Sequence, residues 1–337
     1  MDKNTPLQSF EDVSDPDMVA PRLALLRAEL KRRGLTGFVV PRADEHQGEY
    51  VPPRARRLAW LTAFTGSAGV AVVLERKAAI FVDGRYTLKV RAQTATSLFE
   101  PHDFPAEGPE KWIETNAAGA WIGYDPWLHT PAMLERLKKS AKKAGAKLVA
   151  CATNPIDTVW ADQPEAPSAP AVVHPFALSG EESASKRARI AACVKAAGAD
   201  AVVLTLPDSI CWLFNIRGTD VAYTPFVLCF ALLKTDGTAD LFLDAKRVSP
   251  ELAAHLGPEV SVLSPDLLLP TLAGFADKTV AADPATAAAA IFDALAEVGA
   301  KILNLRDPCQ VPKACKNPVE LEGARKAHIR DGAAMAN

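Results

Sequence analysis

One supersecondary plan is written twice along this chain, and that repetition limits its fold more than any other feature. The first pass runs from a helical segment ending at Gly34 through Val39-Val40, Trp60-Leu61, Thr65-Gly66-Ser67 and an apolar hairpin to Asp83-Gly84-Arg85. The second runs from Gly198 through Val202-Val203, Trp212-Leu213, Arg217-Gly218-Thr219 and a hairpin around Asp236-Gly237 to Asp244-Ala245-Lys246-Arg247. A single repeat of this size implies two duplicated domains and not a solenoid. A chain of 337 residues agrees with that, at about 150 residues per domain. Each pass alternates helix and strand but also contains a hairpin, so each sheet must be mixed. The expected fold class is therefore α/β, with two successive mixed sheets flanked by helices.

The local pattern fills in that plan. Residues 1–14 read as a loose arm. A helix is expected over 17–33, with Leu23, Leu26 and Leu30 on one face and Gly34 as its stop. Strands are expected at 37–40, 70–74, 79–82, 121–124 and 147–150, with helices at 86–95 and 130–144. Pro164, Pro167, Pro170 and Pro175 mark 161–176 as a stiff linker. Ser179-Gly180-Glu181-Glu182 reads as a capping box opening a helix to residue 197. A strand at 201–206, a helix near 265–274, a strand at 279–282 and an Ala-rich helix at 284–298 follow. The last segment, 319–337, is helical by composition but has little chain left to pack it, and an isolated helix of that length is marginal in water. The domain reading is 1–158, a Pro-rich linker at 159–177, 178–315, and the start of a further domain at 316–337.

Totals exclude several functions. With 38 basic and 40 acidic residues the net charge is −2, so no nucleic-acid surface is expected. No run of about 18 uncharged apolar residues is present, so no membrane span is expected either. The polar N-terminus lacks a signal core, and the six cysteines contain no CxxC pair to suggest zinc or a disulfide framework. A cytoplasmic location follows as an expectation. Lys138, Lys139, Lys142 and Lys143 read as a solvated helix face.

The densest polar chemistry lies in Pro41–Tyr86. Asp44, His46, Glu49 and Tyr50 are too polar and too clustered for a core. They are read as a hydrogen-bonded loop that faces another domain. A metal site there is disfavoured, because one His among carboxylates offers too few nitrogens for zinc. Asp83 and Arg85 are read as a structural pair at a strand end. The Thr65–Gly69 run lacks the phosphate-loop pattern, and Ser67 lacks a GxSxG context. Trp60, Trp212 and Phe214 are assigned to the core.

These same stretches carry a resemblance. PRADEHQGEYVPP (41–53), RLAWLTAFTGSAG (57–69) and DGRY (83–86) resemble the first domain of the cytosolic Xaa-Pro aminopeptidase family (aminopeptidase P) in its long three-domain form. ICWLFNIRGTDVAYTPF (210–226) resembles the second domain, and NPVELEGARKAHIRDGAAM (317–335) the entry into the third. Ala63 stands where that pattern carries a glycine. The resemblance implies two creatinase-N-terminal-like domains followed by a pita-bread catalytic domain. That domain would hold two divalent metals, usually manganese, on two Asp, a His and two Glu. It would remove the N-terminal residue from peptides with proline at the second position, and it would mediate a homodimer. None of those ligands is assignable within 1–337, so this chain is expected to hold no catalytic residue, no metal ligand and no cofactor, and to be inactive alone. The alternative implied is a non-catalytic protein-binding module, related to pita-bread pseudo-enzymes such as a histone-chaperone subunit.

Overall fold

The computed structural model describes residues 14–104 and 106–336, so the expected arm at 1–14 falls outside it except for Ser14. The chain divides into two compact units. One comprises residues through Asp44, Gly48–His129 and Met133–Glu165; the other comprises Glu45–Gln47, Thr130–Ala132 and Ala166 onward.

In unit one the elements run α1 (Val19–Arg32), β1 (Gly37–Pro41), α2 (Arg57–Thr62), β2 (Val70–Leu74), β3 (Ala78–Asp83), α3 (Thr87–Gln93), β4 (Glu100–Phe104), α4 (Pro109–Asn116), β5 (Trp121–Tyr124), α5 (Pro131–Lys143), β6 (Lys147–Ala150) and α6 (Pro155–Val159). They build a six-stranded sheet of order β4-β3-β2-β1-β5-β6. Strand β2 is antiparallel to both of its neighbours, and the other pairings are parallel. Strand β1 is buried along its whole length, as a strand covered by helices on both faces must be. Leu23, Leu26 and Leu30 of α1 join Phe38, Val40, Phe64 and Ile80 in one core, at about 1.5–3 kcal/mol for each large apolar side chain.

Unit two continues with β7 (Val172–Val173), α7 (Phe176–Ser179), α8 (Ser183–Ala196), β8 (Ala201–Leu204), α9 (Pro207–Phe214), β9 (Ile216–Arg217), β10 (Phe230–Lys234), β11 (Ala239–Phe242), α10 (Pro250–Leu256), β12 (Val260–Leu263), α11 (Leu268–Leu272), β13 (Thr279–Ala282), α12 (Ala289–Glu297), β14 (Lys301–Asn304), α13 (Gln310–Ala314) and α14 (Pro318–Ala336). Its main sheet has the order β12-β11-β10-β8-β13-β14, and β7 pairs with β9 in a small second sheet. Strand for strand, the pairings repeat those of unit one: β10 is antiparallel to both neighbours and the remaining pairs are parallel. The two mixed sheets expected from the repeat are present, and they are separate.

The repeat extends to small features. Helices α2 and α9 both end on a left-handed residue, Ala63 (φ 62°) and Asn215 (φ 51°). Asp83 Oδ1 accepts the Arg85 N–H at 3.0 Å, and Asp244 Oδ1 accepts the Lys246 N–H at 2.9 Å, so both Asp motifs are turns closed on their own backbone.

Several expectations need correction. Ser179 is not an N-cap. It closes α7, Gly180 follows at φ 66°, and α8 starts after Glu182 with no side-chain cap. The capping box lies instead at Asn317 and Glu320, where Asn317 N donates to Glu320 Oε2 and Glu320 N to Asn317 Oδ1, both at 3.0 Å. Asn317 Nδ2 also donates to Ser179 O at 2.7 Å. A Cβ on Gly180 would come within 2.6 Å of Asn317 Oδ1, so the start of α14 is fitted against α7. Helix α12 begins at Ala289, five residues after the expected start, because the Asp283 side chain holds residues 283–285 in a turn. The Pro-rich stretch is tied down in both parts: Arg54 Nη1 donates to Pro164 O, and Arg247 Nε to Ala169 O. Arg247 in turn is ion-paired at 2.5 Å with the buried Asp220.

Of the six cysteines, only Cys193 and Cys315 are exposed, and burial pushes the thiols of Cys151, Cys211, Cys229 and Cys309 upward. Titration of the native protein with a thiol-specific disulfide reagent should release two equivalents promptly and six after denaturation. Prompt release of more than two would show that the cores around Cys211 and Cys309 are open.

Candidate functional site

Because only β2 is reversed, the carboxyl ends of five of the six strands in unit one meet at one edge of the sheet. This is the edge where open α/β sheets place ligands. Arg42 leaves β1 there, Asp83 leaves β3, and the loop before β2 brings in Thr65–Gly69.

Packing fixes that loop. A Cβ on Gly66 would lie 2.2 Å from the Phe64 ring and one on Gly69 3.2 Å from Phe81 O, so the two glycines admit close approach of backbone to ring and strand. Arg42 N donates to Gly69 O at 2.9 Å, and Arg42 Nε to Gly66 O at 3.3 Å. Burial lowers the Arg42 pKa, and the charge of Arg56 adds to the effect. Ser67 Oγ and the Tyr86 hydroxyl are 2.9 Å apart, and this contact lowers the Tyr86 pKa. The Tyr86 ring packs edge-on against Phe64 and lies under the Arg85 guanidinium. Asp83 and Arg85 form a two-pronged ion pair whose hydrogen bonds hold the Asp83 carboxyl below its usual value. The pair is largely exposed, so solvent screens it strongly.

The four loop residues divide. Asp44 is buried, and its Oδ1 accepts the Gly48 N–H at 2.9 Å. His46 is buried too and belongs with unit two, where its Nδ1 lies 3.0 Å from Thr205 O and its ring stacks on Phe230 at 4.3 Å. Glu49 and Tyr50 are exposed. Among the described residues no group of three or more His, Cys, Asp or Glu side chains could hold a metal ion. The described residues do not fit the two-metal site that the resemblance implies. Arg42 and the Ser67–Tyr86 contact were missed in the sequence. The only available signal was their position at strand ends, which appears once the strand directions are known.

Two family models, both described as the creatinase/prolidase N-terminal domain, match residues 22–159 and 162–320. The chain belongs to the creatinase/prolidase N-terminal family. It is 37% identical over 333 residues to Aminopeptidase P1 of Arabidopsis thaliana, covering 89% of this chain and 51% of that protein. It is 35% identical to a protein named "Probable Xaa-Pro aminopeptidase P" from Aspergillus niger, covering 93% of this chain and 53% of that one. The chain thus spans about half the length of the curated relatives it matches. Among solved structures it superposes on an X-prolyl aminopeptidase from Caenorhabditis elegans with a TM-score of 0.87 and 26% identity, over 94% of this chain and 55% of that one. That enzyme is described as cytosolic, with a di-nuclear active site. No helix among the described residues is long and apolar enough to cross a membrane.

Replacing Gly66 with Ala should destabilise the fold by about 1–3 kcal/mol, the usual cost of overpacking, because the added carbon meets the Phe64 ring. Chemical denaturation measures it. An unchanged midpoint would mean that the ring can swing away and the loop is not held by packing.

Proposed function

We propose that this chain is the N-terminal portion of a cytoplasmic Xaa-Pro aminopeptidase, and that residues 316–337 lead into a further, metal-bearing domain that performs the cleavage. In this reading 1–158 and 178–315 are the two creatinase-type domains, substrates are peptides with proline at the second position, and the whole enzyme dimerises through the further domain. The observation that carries the reading is the 0.87 superposition on an X-prolyl aminopeptidase across 94% of the chain. Metals, manganese included, belong to the further domain and to no residue here.

The 41–50 loop is assigned to substrate access. Asp44 and His46 anchor it through the contacts described above, while Glu49 and Tyr50 stand out from it, Tyr50 with 62% of its surface exposed. Side chains so placed act by orienting a peptide and excluding bulky ones, not by breaking bonds. Asp83 and Arg85 stiffen the neighbouring strand end and touch no reacting atom.

The test uses the longer enzyme that carries these domains and the further one, beside the 337-residue chain. The longer enzyme should release the first residue of an Xaa-Pro peptide, and the 337-residue chain should not. Glu49→Ala and Tyr50→Ala in the longer enzyme should change kcat/KM by about tenfold, or 1.4 kcal/mol, and leave Tm unchanged. Cleavage by the short chain, verified by mass, would refute the division of labour. Unaltered kinetics in both variants would remove the loop from substrate access.

A further inference from the structure

The duplicated plan supplies an internal comparison at the carboxyl ends of the last two strands of each sheet. In unit one, Asp125-Pro126 follows β5 and Asn154-Pro155 follows β6. Asp125 Oδ1 accepts the Trp127 N–H and Asn154 Oδ1 the Ile156 N–H, each at 2.9 Å. The two side chains are joined by Asn154 Nδ2 donating to Asp125 Oδ2 at 2.9 Å. In unit two, Asp283-Pro284 follows β13 and Asp307-Pro308 follows β14. Both turns recur: Asp283 Oδ1 accepts Ala285 N–H at 2.9 Å, and Asp307 Oδ1 accepts Cys309 N–H at 2.7 Å. The join differs. Where unit one has an amide, unit two has a second carboxyl group, and the link to Asp283 Oδ2 is made by the Asp307 backbone N–H at 3.0 Å.

The second carboxyl group is poorly provided for. Asp307 is 6% exposed and Asp283 7%. Asp307 Oδ2 has no hydrogen-bond partner of good geometry, and the leading charge acting on Asp307 is that of Asp283. The groups around it are Asp283 at the end of β13, Ser209 on α9 and Cys309 on its own segment, whose N–H and thiol favour the carboxylate; Arg189 and Cys193 of α8 act on Cys309, and Asp208 of α9 is paired with Lys313 of α13. Ser209 Oγ is wholly buried and makes no hydrogen bond of good geometry, although it lies near enough to favour the ionised carboxylate. Two ionised carboxylates in one buried site without a cation repel each other and are poorly solvated.

We propose that Asp307 is a proton-holding acid in the folded protein, so that the Asp283–Asp307 pair carries one negative charge, as the Asp125–Asn154 pair does in unit one. Burial, followed by the Asp283 charge, raises the Asp307 pKa in keeping with this. The sign of the linkage is fixed. A folded-state pKa above the unfolded value of about 3.9 contributes stability that is fully present below that value and is lost as pH rises through the folded value. Asp307 sits two residues from the Cys309 N–H that it caps, directly before α13. Loss of the proton puts two carboxylate charges in one buried site on the segment that leads into α14, and the pair is a pH-sensitive latch on that segment.

The experiment compares the wild-type chain with Asp307→Asn, which copies Asn154. Tm is followed between pH 4 and 9, and Asp307 is read directly by its 13C carboxyl resonance. The wild type should lose Tm relative to Asp307→Asn by about 3 °C per pH unit up to the Asp307 pKa. The resonance should titrate above the ordinary carboxylate range and move back towards it in Asp283→Asn. Parallel Tm curves, or an Asp307 resonance titrating near the ordinary value, overturn the proposal even if a variant folds poorly. So does a wild-type Tm that depends on which of lithium, sodium or potassium is present at constant ionic strength and pH, since a bound cation would then hold the pair in place of the proton.

Discussion

Both units depend on one strand having two unlike neighbours. Strand β1 pairs antiparallel with β2 on one side and parallel with β5 on the other, and β8 does the same between β10 and β13. An all-parallel sheet would place a crossover at every step. The hairpin replaces one crossover, reverses one strand, and still leaves five strands pointing one way. The polar loops therefore collect at a single edge, and the glycines that let the Thr65–Gly69 loop pass close to Phe64 are needed only because β2 must enter beside β1.

The same logic decides where charge is buried. Lys186 of α8 is 1% exposed, yet its ammonium group donates to Trp212 O at 3.0 Å and Asn215 Oδ1 at 2.7 Å and lies over the Trp212 ring. It thereby caps the Trp212 carbonyl in the last turn of α9, where a cation is favoured by the helix dipole. Burial pushes its pKa down to about 8, so the cap is held at the cost of a partly desolvated cation. Arg247 and Asp220 do equivalent work for the extended chain: Arg247 reaches Ala169 O, while Asp220 Oδ2 accepts the Leu228 N–H at 2.7 Å. Proline-rich backbone offers few N–H groups of its own, and side chains from neighbouring loops supply the missing partners.

Much of the strand plan was legible in the sequence because apolar runs such as Phe38-Val39-Val40 and Ala201-Val202-Val203 have no other reading between a helix stop and a turn. The Asp236-Gly237 hairpin was equally plain. Short elements were not. Strand β4, Glu100–Phe104, is an edge strand of charged and aromatic residues with no alternation to read. Helices α2 and α9 are too short for a helical period to show. The Ser179 motif misled because its spacing fits a capping box while Gly180, the better signal, ends a different helix. Of the candidate site, the polar character of 41–50 was visible. Its split into anchored Asp44 and His46 and exposed Glu49 and Tyr50 was not, since that depends on contacts distant in sequence.

The fit of Asn317 against Gly180 has a mechanical consequence. Helix α14 is 19 residues long, a rod of about 28 Å at ~1.5 Å per residue, and it is held at its first turn. A tilt of about 10° at that turn would carry the far end of such a rod through about 5 Å. The direction of α14 is therefore set at its root, by a glycine and an asparagine.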